Sequence, residues 1–176
     1  MQSVGTVTRA FTILAALAFA VAADAQPRPG GGSGGGGGSP AEGLIQKIQP
    51  EQLAQIISGA GFPSQVTDLG DQRIVRTQFW PGEIVSGAWP FSCEKDGSGC
   101  HGYGLFANFG GNTGIGQDWI DSWNNYRLYV HARKDQNGDL VFQWDVLLLG
   151  GLSTDSIAAS AQLFKNWVDD STDYKP

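Results

Sequence analysis

The sequence predicts an α+β domain in which helices pack on an antiparallel sheet. Three observations point there. Segments with apolar residues at helical spacing open and close the folded region; short alternating segments separated by turn signals lie between them; and an Asn-Gly pair joins the last two of those. At 176 residues the chain has room for one domain with a real core but not for two comfortable ones.

The N-terminal region is not expected to join that core. Arg9 precedes the apolar run FTILAALAFAVA, residues 11–22, and Ala23-Asp24-Ala25 fits the small-x-small pattern read by signal peptidase. The run is shorter than the ~20 residues of a spanning helix, so the expectation is a secretory signal over 1–25, cleaved after Ala25. Residues 26–40, QPRPGGGSGGGGGSP, are rich in glycine, which loses much backbone entropy on ordering and brings no side chain to offset it. They are expected to be a flexible tether, and 41–176 the folded domain.

The first helix is PEQLAQIISGAGF: Pro50 suits the first helical turn and Gly61 the C-terminal stop. Leu53, Ile56, Ile57 and Ala60 fall at i, i+3, i+4 and i+7 and form one apolar stripe. Strands are expected at 65–69, 73–79 and 83–91, separated by the turn signals Gly70-Asp71 and Pro81-Gly82. After the cysteines, HGYGLFANF places Tyr103, Leu105, Ala107 and Phe109 on one face by period two, and its glycines imply close approach of neighbouring backbone. The loop GGNTGIG lacks the lysine of a phosphate loop and the context of a dinucleotide fingerprint. It leads into QDWIDSWNNY, where Trp119, Ile120 and Trp123 share helical spacing. RLYVHARK and DLVFQWDVLLL then flank residues 135–138, DQNG, whose Asn137-Gly138 pair favours the positive dihedrals of a tight hairpin. In the last helix Ser153 is the N-cap, Asp155 favours the dipole, and Ile157, Ala161, Phe164 and Val168 make the apolar stripe.

The formal net charge is -6, and loss of 1–25 would leave it unchanged because Arg9 and Asp24 cancel. An acidic chain without a basic cluster lacks the term that dominates phosphate-backbone binding, which argues against nucleic acid and against a polybasic membrane contact. No later segment is long and apolar enough to insert in a membrane after signal cleavage, and no cofactor motif is present.

The chain's two cysteines, Cys93 and Cys100, enclose EKDGSG. In an exported protein such a pair is most simply a disulfide, with a chain-entropy contribution of about 2 to 3 kcal/mol and α-carbons about 4.4 to 6.8 Å apart. Redox catalysis wants a closer pair at a helix N-terminus. A zinc site would recruit His101 and His131, but Cys100 and His101 are neighbours on a strand and point to opposite faces. Neither histidine accompanies a GxSxG turn, and no carboxylate pair stands out by spacing. Hence no catalytic, metal or cofactor-binding residues are assigned. Trp119, Trp123, Trp144 and Trp167 lie on helical or strand stripes and read as core. Trp80 and Trp89, beside prolines, are the candidates for a partner-binding platform.

The cysteine pair, a strand ending near Phe109, DSWNNYR, DQNGDLVFQWDVLLLGG and a final helix bearing Trp167 together resemble the YbjN family, bacterial proteins described as sensory transduction regulators. The motif positions are Trp123, Asn124, Arg127, Gly138, Asp145, Gly150 and Gly151, over roughly residues 48–174. The resemblance implies the order helix, three strands, helix, two strands, helix, like the class I chaperones of type III secretion. It also implies a small non-enzymatic module that binds or regulates protein partners or pairs with its own copy. Asp121 stands where an asparagine is expected, and the approach to Arg127 is shortened. Members are often cytosolic, whereas the signal and tether here imply a periplasmic or secreted protein.

Overall fold

The computed structural model describes residues 43–82, 84–97, 99–110 and 114–173; the expected signal and tether lie outside them. The elements are α1 (Pro50–Gly59), β1 (Ser64–Leu69), β2 (Gln72–Thr77), β3 (Val85–Cys93), β4 (Cys100–Asn108), α2 (Gln117–Tyr126), β5 (His131–Lys134), β6 (Leu140–Leu147) and α3 (Thr154–Asp170). The strands form one antiparallel sheet in the order β1-β2-β3-β4-β6-β5. Four strands precede α2, not the three that the family resemblance implies. The cysteine loop is itself a turn, with Cys93 directly opposite Cys100 in the β3–β4 register, so it divides one long segment into two strands.

The helices follow their sequence signals. Pro50 opens α1, and Gly61, at φ 93°, turns the chain out of it. The Ser153 hydroxyl accepts from the Ser156 N–H at the start of α3. Leu53 and Ile57 of α1, Ile120 and Trp123 of α2, and Ile157, Ala161, Phe164 and Val168 of α3 are all buried. They meet Val75, Ala88, Tyr103, Leu105, Ala107, Ala132 and Phe142, which alternate along the strands and so share one face of the sheet.

Tyr103 is the polar member of this core. Its hydroxyl lies 2.8 Å from Ser160 Oγ on α3, and burial pushes its pKa up to about 12 against the weaker, opposite pull of that hydrogen bond. The unfolded phenol titrates near ~10, so the folded chain holds the proton more tightly. The resulting stabilisation is complete below about pH 10 and is lost as pH rises from there through the folded value. Raising the pH from 9 to 11.5 is therefore expected to lower the urea midpoint more in the wild type than in Tyr103→Phe. Equal losses would remove Tyr103 from the account.

Three expectations need correction. β5 begins at His131 rather than at 127, and side chains of α2 take backbone groups around that start: Trp123 Nε1 donates to Val130 O just before the strand at 2.9 Å, and inside it the Asn124 amide donates to Ala132 O and accepts from Ala132 N. In the hairpin only Gly138 has positive φ, 82°. The Asp135 carboxylate accepts from the N–H groups of Asn137 and Asp139, giving a type I turn closed by a left-handed glycine. At Gly102 and Gly104 the close approach comes chiefly from aromatic side chains rather than from neighbouring backbone.

Candidate functional site

The helices cover one face of the sheet. The alternate residues, Ile74 and Arg76 on β2, Trp89 and Phe91 on β3, Phe106 on β4, Val141, Gln143 and Asp145 on β6, and His131 and Arg133 on β5, point to the other. Trp89 lies opposite Gly104 and Phe91 opposite Gly102. A β-carbon on either glycine would fall 2.5 Å from the facing ring, so the glycines let the rings lie flat on the strand. Trp89 also packs on Phe106, with ring centroids 5.1 Å apart.

Ile74 and Val141 are buried on this helix-free face yet stand outside the main core. Side chains from both edges of the sheet gather around them. Leu69 and Gln72 from the β1–β2 hairpin, and Arg133 from the opposite edge, line the same depression as Trp89 and Phe106. The open face is therefore a trough with an aromatic floor. It deepens where β2 and β3 part: only Val75–Ala88 and Arg76–Gly87 pair, and beyond them β3 presents Pro90, which has no N–H to extend a ladder. The depression there, about 800 Å³, runs past Arg73, Trp89 and Phe91 to the disulfide.

The cysteines are joined, with α-carbons 3.8 Å apart, below the expected window. They face one another directly, and Ser92 at φ 53° and Gly99 at φ 140° bend the backbone on either side of the bridge. His101 turns away from them: its Nε2 lies 2.9 Å from the Glu94 carboxylate, which also pairs with Lys47. Those two cations, Lys47 foremost, hold the Glu94 carboxyl below its usual range. His131 lies at the sheet edge, separated from β4 by β6. Replacing both cysteines with serine is expected to cost about 2 to 3 kcal/mol in urea unfolding under oxidising conditions. A difference of less than about 0.5 kcal/mol would show that the bridge constrains little.

Of the two proposed platform tryptophans, Trp80 is committed internally. It packs on Phe79, Phe109 and Phe164, donates Nε1 to Asp169 at 2.6 Å, and sits beneath the Lys165 ammonium. Trp89 lies in the trough. Of the motif positions, Trp123 and Asn124 fix the start of β5. The Arg127 guanidinium lies over the rings of Trp123 and Trp167 and 3.7 Å from Asp170, joining α2 to α3. Gly150 and Gly151, at φ 80° and 88°, make the turn into α3, where Leu44 crowds Gly151. Asp145 belongs to the open face, and both its oxygens accept from Gln143 Nε2. Sequence reasoning missed Phe106 and Arg133. The alternation in HGYGLFANF and HARK held the signal, since it places both on the face opposite the core residues.

No family model and no curated protein matches the chain. A solved structure does: YbjN from E. coli, described as a candidate transcription regulator, superposes with a TM-score of 0.53 at 12% identity, covering 73% of this chain and 90% of that one. The chain has the YbjN fold. The YbjN likeness at this identity lies in the architecture, so the trough must be read from its own side chains. Among the described residues no helix is long and apolar enough to cross a membrane.

Proposed function

We propose that the chain is an exported, non-enzymatic binding or regulatory module of the YbjN type, working in the periplasm or outside the cell. It engages a protein partner or a second copy of itself through the open face of its sheet. One observation carries the reading: an aromatic-floored trough on the face the helices leave bare, with half-buried Trp89, Phe91 and Phe106 displayed beside exposed Leu69, Val85 and Leu147. Contiguous apolar surface of this kind marks an interaction site more often than scattered apolar residues do. The YbjN fold supports a regulatory role, and the class I chaperone analogy, whose members commonly dimerise, adds the second copy as a partner. The disulfide fits an oxidising compartment.

The test is crosslinked capture from periplasmic extract with wild type and Trp89→Ala as baits. Partners retained by the first and lost by the second are expected; identical sets would reject the open face. Light scattering at micromolar concentration decides the second-copy arm, and a strict monomer would remove it. A second reading, an envelope enzyme or a small-ligand or metal-binding protein using the Cys93–His101 loop region, is favoured on its small-ligand side alone by the depression beside the disulfide, whose described lining contains no histidine.

A further inference from the structure

The trough has a feature that a purely apolar docking surface does not need. Arg133 stands on its rim and lines the 800 Å³ depression, the smaller one over Phe106 and Val141, and a third at the β5–β6 edge. Two carboxylates stand near it, each hydrogen-bonded to neutral donors. The Asp145 carboxylate is held by Gln143, and Asp135 accepts from the turn N–H groups and from Asn108. Arg73, the other guanidinium lining the 800 Å³ depression, is paired with Glu51 and Asp68, and Arg76, on the open face of β2, lines a separate depression. Arg133 makes no ion pair among the described residues, and its contact with Gln143 Oε1 is a long 3.4 Å. A third carboxylate, Asp71, lines the 800 Å³ depression from the β1–β2 turn, while Asp135 lines the smaller one and Asp145 the one at the β5–β6 edge.

We propose that the trough binds a small aromatic carboxylate, its flat ring against Trp89 and Phe106 and its carboxylate on the Arg133 guanidinium. The 800 Å³ depression, lined by Trp89 and Arg133, lies within the ~300–1,000 Å³ range of small-molecule sites, which combine apolar walls with a few fixing polar groups, and Phe106 adds its ring from the adjoining depression of about 260 Å³. The guanidinium fork matches a carboxylate in two parallel hydrogen bonds, and the two aromatic side chains supply stacking area. Binding costs no existing ion pair. The inference deepens the open-face reading and rests on it; it adds the ligand that would compete with, or license, the partner.

The probe is 2-naphthoate, with neutral 2-naphthamide and dodecanoate as comparisons, titrated calorimetrically into the folded protein. The expectation is a Kd for naphthoate on the order of tens of micromolar, with naphthamide at least tenfold weaker. Arg133→Gln should lose about tenfold for naphthoate and leave naphthamide unchanged. Trp89→Ala should lose about tenfold for both, with Trp89→Phe restoring part of it and urea unfolding confirming that each variant is folded. Equal affinity of naphthoate for wild type and Arg133→Gln would overturn the assignment, as would tighter binding of dodecanoate than of naphthoate or no binding at millimolar probe. Loss of partner capture in Trp89→Ala without any naphthoate binding to wild type would sink this inference and leave the partner reading standing.

Discussion

Trp123→Ala should lower the free energy of unfolding by about 3 to 5 kcal/mol, read from urea denaturation at neutral pH. The side chain is fully buried, stacks on Trp119 with ring centroids 5.5 Å apart, and meets Phe142 edge-on at 5.5 Å. Its Nε1 also donates to the Val130 carbonyl, and Arg127 lies 4.9 Å above its ring. The magnitudes rank these contributions. A buried hydrogen bond lost on one side costs about 1 to 3 kcal/mol, and a partly exposed cation–π contact about 0.5 to 1 kcal/mol, so ring burial dominates. Trp123→Phe should keep most of the burial and cost about 1 to 3 kcal/mol, the hydrogen-bond share. If the phenylalanine variant is as damaged as the alanine one, anchoring the approach to β5 outweighs filling the core. Against a typical total of ~5–15 kcal/mol, the alanine variant sits near the edge of folding.

The same residue shows what could be read in the sequence. Helix α2 was legible because Trp119, Ile120 and Trp123 repeat at helical spacing, and Gln117–Tyr126 is where it lies. The start of β5 was not legible. RLYVHARK alternates like a strand, but Val130 O is taken by Trp123 and the backbone of Ala132 by Asn124, hydrogen bonds that no local pattern encodes. The partners of Trp80 were not legible for a similar reason: the carboxylate that takes its indole N–H is 89 positions away. Trp89 faces the trough from β3, within the strand expected at 83–91. Strand alternation separated the two faces of β4 correctly, placing Tyr103, Leu105 and Ala107 inside. It could not show that the other face holds a depression, because that follows from how short the β2–β3 ladder is and from which side chains meet across the sheet.

That short ladder underlies the second large effect. Gly87→Ala should cost at least about 3 kcal/mol, more than a methyl group added at any other glycine of the open face. A β-carbon at Gly87 would land on the Val75 carbonyl oxygen, with the Val75 carbonyl carbon at 3.1 Å and Arg76 Cα at 3.3 Å. All three obstacles are backbone, so no rotamer change relieves them. They are also the backbone of the two paired positions that join β2 to β3, and relief therefore means breaking that ladder. The β1–β2 hairpin would stay tethered to α1 through Arg73 and Glu51 but would lose its place as a wall of the trough. Gly104→Ala makes the contrast. There the obstacles are the Trp89 ring at 2.5 Å and the Asp145 carboxylate at 2.7 Å, both side chains that can swing aside at a cost of about 1 to 3 kcal/mol. That variant should stay folded while losing Trp89 from the trough floor, and with it partner capture and naphthoate binding. A Gly87→Ala protein within about 0.5 kcal/mol of wild type would mean that β2 and β3 are held together by α1 and not by their short ladder. The trough would then be a hinge between two halves of the sheet instead of a fixed wall.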